Sequence, residues 1–99
     1  MQIEKIMEGG KCRLSLFGRL DNTTAQILQD TLLLALNETQ QVELDFANIE
    51  YVSSTGLRAL LVGQKTAQTK GASMILTGVS KEVMEVFEMT GFNNILNIV

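Results

Sequence analysis

Residues 45–58 read Asp45-Phe46-Ala47-Asn48-Ile49-Glu50-Tyr51-Val52-Ser53-Ser54-Thr55-Gly56-Leu57-Arg58. Upstream, Val42, Leu44 and Phe46 alternate with Glu43 and Asp45. That period-two pattern predicts a half-buried strand over Gln41–Phe46, followed by a loop over Ala47–Ser53. Downstream, Leu57, Leu60, Leu61 and Ala67 share one face of a helix predicted from Ser54 to Thr69, with Gly71 as its stop. The opposite side of that helix carries Arg58, Val62, Lys65 and Thr69. One hydroxyl is enough to cap a helix, and a glycine inside one costs about 1 kcal/mol relative to alanine. Ser53, Ser54, Thr55 and Gly56 together exceed what capping requires. Oxygen nucleophiles at this point would stand beside unpaired backbone N–H groups and the positive end of the helix dipole, where a phosphoryl group is favoured. Gly56 would leave space there for phosphate oxygens or for a partner's backbone.

Outward from this segment, Gln2–Met7 and Lys11–Gly18 read as two strands joined by Glu8-Gly9-Gly10, a tight hairpin. Asp21-Asn22-Thr23-Thr24 supply cap residues for a helix over Thr23–Asn37, with Ala25, Leu28, Leu32, Ala35 and Leu36 at helical spacing. Leu33 and Leu34 widen its apolar face and are read as buried. Ala72–Thr77 predicts a strand, and Ser80 caps a third helix with Val83, Val86 and Phe87 as its stripe and Gly91 as its end. Met84 and Met89 on that helix read as adaptable packing, and Cys12 as a buried thiol. Ile95–Val99 closes the chain as a short strand. Strands alternating with helices imply parallel neighbours joined by right-handed crossovers. The predicted fold is a single α/β domain spanning residues 1–99, with a mixed four- to five-stranded sheet, an N-terminal hairpin and packed helices.

Composition narrows the chemistry. The 99 residues are 45 % apolar and 19 % charged, enough to bury one core and too few for separate catalytic and binding domains. Histidine is absent and Cys12 is the one cysteine, so imidazole catalysis, zinc, haem and iron–sulfur ligation lack their residues. No cofactor or metal is expected. A net charge of −3 with no basic run argues against a nucleic-acid partner. The longest apolar run, Leu32–Leu36, falls far short of the roughly 18 residues a membrane helix needs, and no basic-then-apolar leader opens the chain. A cytoplasmic protein is the expectation. Neither G-x-x-x-x-G-K-[ST] nor G-x-G-x-x-G occurs, which leaves nucleotide hydrolysis without support.

Three stretches carry a resemblance. Gly18-Arg19-Leu20-Asp21-Asn22-Thr23-Thr24-Ala25, Tyr51-Val52-Ser53-Ser54-Thr55-Gly56-Leu57 and Phe87-Glu88-Met89-Thr90-Gly91-Phe92 resemble, in order, the segment before the first helix, the phosphorylation loop and the closing Phe-x-x-x-Gly signature of the STAS domain family. Within it, the chain looks like the stand-alone bacterial anti-sigma factor antagonists. The resemblance implies a regulatory binder with no catalysis of its own. An anti-sigma factor that is also a serine kinase would bind the unmodified form, release its sigma factor and phosphorylate the acceptor; a PP2C-type phosphatase would reset it. By position the acceptor is Ser54, two residues before the glycine, with Ser53 and Thr55 as alternates. Asp21 matches the family aspartate near that loop, and it also reads as a cap for the first helix. Many members carry aspartate directly before the acceptor, where this chain has Ser53.

The partner-docking residues expected on this reading are Asp21, Ser53, Thr55, Gly56, Arg58 and Val62, with Val62 as an apolar anchor and Arg58 on its polar rim. A phosphoryl group adds about −1.5 to −2 charges and would take the chain from −3 to roughly −5, repelling an acidic partner surface. The alternative is a STAS subunit of a lipid or solute transport or sensory complex, in which the same loop contacts a neighbouring subunit and carries no phosphate.

Overall fold

The computed structural model describes residues 1–99. Gly9 and Gly10 both take left-handed backbone angles, φ 57° and 79°, and so turn β1 (Gln2–Glu8) back onto β2 (Lys11–Leu20) through a two-residue connection that suits the strand twist. The pair is antiparallel, with Glu8 opposite Lys11 and Gln2 opposite Phe17. The chain continues through α1 (Ala25–Glu38), β3 (Gln41–Val52), α2 (Ser54–Lys70), β4 (Ser73–Thr77), α3 (Lys81–Thr90), a 3₁₀ turn (Phe92–Asn94) and β5 (Asn97–Ile98). The sheet has five strands in the order β1-β2-β3-β4-β5, and every pair after the first is parallel.

This order never reverses, so right-handed crossovers place α1, α2 and α3 on the same face of the sheet. Burial agrees with that arrangement. Cys12, Leu14 and Leu16 of β2, Val42, Leu44 and Phe46 of β3, and Met74 and Leu76 of β4 all face the helices and are buried. Phe46 meets Phe87 of α3 with ring centroids 6.2 Å apart. The opposite face has no helix over it and is mostly polar, with Ile6 and Ile75 set among charged and hydroxyl side chains: Lys11 reaches Glu43 at 2.9 Å, and the Thr77 hydroxyl donates to the second Glu43 oxygen at 2.9 Å. These contacts hold the Glu43 carboxyl below the ordinary glutamate range, the Lys11 bond being the larger cause.

Most predicted elements are present, including the Ser80 cap, whose hydroxyl accepts from the Val83 N–H, and the Gly71 and Gly91 helix ends. The main correction is β3. Ala47–Val52 is not a loop: the strand continues to Val52 beside β2, while β4 leaves it after Asp45 opposite Thr77. Two register shifts relative to β2 interrupt the alternation, and the buried residues fall instead at Phe46, Ile49 and Val52. α1 begins at Ala25, after a turn in which the Thr24 hydroxyl donates to the Arg19 carbonyl at 2.7 Å and accepts from the Asp21 N–H at 2.9 Å. The final strand is confined to Asn97–Ile98 because the 3₁₀ turn takes up the residues before it.

Three burial expectations fail. Leu34 is 56 % exposed and Met89 86 % exposed; each lies on the solvent side of its helix. Leu61 of α2 is only half-buried, and Gly63 takes its place in the core-facing stripe, against Leu32 of α1. Cys12 is fully buried, and burial raises its thiol pKa.

Candidate functional site

The hydroxyl-rich segment stands where the parallel strands β2 and β3 end. The Ser53 N–H donates to the Leu20 carbonyl at 2.8 Å, which ties the entrance of α2 to the last residue of β2. Ser53 has extended backbone angles, and its hydroxyl accepts from the Gly56 N–H at 3.1 Å, so Ser53 is the N-cap of α2. One hydroxyl of the three is therefore committed to capping. Ser54 and Thr55 are exposed, and neither side chain takes part in a hydrogen bond within the chain. Replacement of Ser53 by alanine is expected to lower the unfolding free energy by about 1 kcal/mol, measured by urea titration, since it removes this cap and nothing else.

Gly56 has a different role from the one its sequence context suggests. It is buried, and a Cβ at this position would stand 2.7 Å from Leu20 Cγ and 2.9 Å from the Leu20 carbonyl oxygen. The space that glycine opens is filled by the chain's own β2, so it is unavailable to a phosphate or a partner backbone. Its contribution is to let the first turn of α2 lie against Leu20 and thereby fix where Ser54 and Thr55 emerge.

Asp21 lies one residue beyond Leu20. It is not the N-cap of α1, a position held by Thr24. Its carboxylate accepts from the Thr23 hydroxyl at 2.7 Å and the Thr23 N–H at 2.9 Å, and these bonds hold its pKa below the ordinary aspartate range. Arg19 approaches the same carboxylate, Nε to Oδ2 3.8 Å, and stacks its guanidinium 4.4 Å from the centre of the Tyr51 ring. Sequence reading held Arg19, Leu20 and Tyr51 within the two resembling stretches but named none of them as a site residue and did not join them to one another. Their association depends on the β2–β3 register, which pairs Arg19 with Tyr51 and Leu20 with Val52 across a long sequence separation.

On α2, Ser54, Arg58, Lys65 and Thr69 are exposed, while Val62 is half-buried and offers less apolar surface than the sequence pattern suggests. The helix carries Arg58, Lys65 and Lys70 and no acidic residue, so its outer surface is cationic in a chain whose net charge is −3. Arg58 belongs to none of the chain's salt bridges, which join Lys5 to Glu38, Lys11 to Glu43 and Arg19 to Asp21. The largest concavity, about 560 Å³ and lined by residues that include Leu36, Thr39, Gln41 and Lys70, lies at the other end of the strands, next to the start of β3. No group of three or more Cys, Asp or Glu side chains is placed to hold a metal ion. No helix is long and apolar enough to cross a membrane.

Comparison with known proteins agrees with this fold. The family model described as Mlab, STAS domain matches residues 4–98. The anti-sigma-B factor antagonist of Staphylococcus epidermidis is 26 % identical over 99 residues, covering 99 % of this chain and 92 % of that protein. The anti-sigma factor antagonist SpoIIAA in its unphosphorylated form superimposes with a TM-score of 0.76 at 16 % identity, over 99 % of this chain and 87 % of its own. The phosphorylated form of SpoIIAA, a Bacillus cell fate determinant, gives 0.75 at 17 % identity, over 99 % and 91 %. A sulfate transporter family protein from Wolinella succinogenes gives 0.81 at 22 % identity, over 94 % and 76 %. One fold thus serves proteins with different names, and the role must be argued from the site.

Proposed function

The chain belongs to the STAS domain family, and from that premise we propose that it is an anti-sigma factor antagonist whose docking is switched by phosphorylation of Ser54. The observation that carries the proposal is the exposed, unbonded Ser54 hydroxyl at the start of a cationic helix whose cap is supplied by its neighbour Ser53. Modification of Ser54 leaves the capping bond intact. The relative from S. epidermidis named as an anti-sigma-B factor antagonist, matched along nearly its whole length, supports the choice of partner class.

In the unmodified state α2 presents Arg58 and Lys65 to an anti-sigma factor with an acidic docking surface, and that partner releases its sigma factor. The anti-sigma factor, acting as a serine kinase, then transfers the γ-phosphoryl group of ATP. The bond from Ser54 Oγ to phosphorus forms as the bond to ADP breaks, and the hydroxyl proton leaves. A PP2C-type phosphatase restores the hydroxyl by hydrolysis, releasing inorganic phosphate. The chain's part throughout is to present the acceptor and the docking face, and it supplies no catalytic group. Asp21 supports the site by fixing the turn that carries β2 into α1 beside the Leu20–Ser53 bond.

Incubation with the cognate kinase and ATP is expected to add one phosphoryl group to the parent and none to Ser54→Ala, read by intact mass and peptide mapping. Incorporation at Thr55 or Ser53 in the parent would displace Ser54 as the acceptor. A parent chain that stays unmodified while binding its partner would favour the transport or sensory-complex reading.

A further inference from the structure

Ser54 and Arg58 are four residues apart on α2, which places their side chains one turn apart on the same exposed face. Arg58 has no partner among the chain's salt bridges, and the first turn of α2 contains no acidic residue. The other charged groups at this end of the sheet are accounted for differently. Arg19 and Asp21 face each other beside Tyr51, and Glu50 is exposed on β3. The cation nearest in sequence to the acceptor on its own helix is therefore in no ion pair within the chain.

We infer that Arg58 is an intramolecular clamp for phosphorylated Ser54, so that the cation available for docking in the unmodified protein is captured by the phosphate in the modified one. The inference rests on the proposed phosphorylation at Ser54. The guanidinium presents donors in a planar fork that matches phosphate oxygens, and the four-residue helical spacing brings the two side chains together without backbone movement. Phosphorylation then acts twice on one face: it adds negative charge at Ser54 and neutralises the positive charge of Arg58. Lys65 and Lys70 are too far along the helix to share in this capture, since the Ser54 phosphate reaches across a single turn.

The test uses full-length protein carrying phosphoserine installed at position 54 during synthesis, so it needs no kinase. Phosphorus NMR follows the second ionisation of the phosphate against pH in the parent and in Arg58→Gln and Arg58→Lys. The clamp favours the dianion, so the titration midpoint of the parent is expected about 0.4 pH units below that of Arg58→Gln, with Arg58→Lys in between. The Arg58 side-chain Nε–H resonance is expected to shift on phosphorylation and to report the same midpoint. Equal midpoints in parent and Arg58→Gln, with an unmoved Arg58 resonance, would overturn the clamp. That outcome is separate from failure of the proposed function, which would appear as absence of phosphate transfer to Ser54 by the kinase whatever the installed phosphoserine does.

Discussion

Gly56→Ala is expected to destabilise the protein by about 2 kcal/mol, against the usual rule that glycine to alanine in a helix stabilises by up to about 1 kcal/mol. The sign reverses because the added methyl has nowhere to go. Its carbon would sit 2.7 Å from Leu20 Cγ and 2.9 Å from the Leu20 carbonyl oxygen. That oxygen is backbone and already accepts from the Ser53 N–H, so α2 cannot retreat without giving up the bond that anchors its entrance. For a domain of this size the loss corresponds to a fall of roughly 8–16 °C in Tm. Gly63→Ala provides the comparison. There a Cβ would press on the Leu32 side chain, whose Cγ stands 3.0 Å away, and on the Met74 sulfur at 3.2 Å; these are side-chain atoms and none is backbone, so repacking relieves part of the strain and the cost should be smaller. Urea unfolding of the two variants gives the order; a Gly56→Ala protein as stable as the parent would show that α2 does not need this close approach.

These glycines mark the boundary between what the chain reveals locally and what only its folding reveals. The Gly9-Gly10 turn, the apolar stripe of α1 and the Ser80 cap are decided by neighbours within a few residues, so pattern and propensity are sufficient to find them. The surplus of hydroxyls at Ser53–Thr55 is equally local, and it led to the region now argued to be functional. Gly56 also stood out in the sequence, yet its purpose could not be read there, because Leu20, which fills the space beside it, is far away along the chain. The same holds for β3. Ala47–Val52 looks like a loop because the register shifts against β2 destroy the two-residue period, although pairing with β2 makes the segment a strand. Leu34 and Met89 show the converse: an apolar residue at a helical position is no proof of burial when its helix turns that side to solvent.

Ser54→Asp is expected to weaken binding to the anti-sigma factor on the order of 100-fold, about 2.7 kcal/mol, while slightly stabilising the free protein. The two effects have opposite signs because they act through different neighbours. Inside the domain, a carboxylate in the first turn of α2 meets unpaired N–H groups and the positive end of the helix dipole, worth about 0.3–1 kcal/mol, in a turn that has no acid of its own. At the interface, the same charge lies one turn from Arg58 and opposes the acidic surface that the cationic face of α2 is argued to receive. Ser54→Ala separates charge from loss of the hydroxyl: it should bind like the parent, since the Ser54 side chain holds nothing in place within the chain. Calorimetric titration with the anti-sigma factor, thermal melts and amide spectra of the free protein test all three statements together. Undiminished affinity of Ser54→Asp would overturn the charge switch, and spectral changes spread through the β2–β3 core would attribute a loss of binding to refolding. Added salt then distinguishes charge from bulk, because screening restores part of the affinity lost to repulsion and none of that lost to steric exclusion.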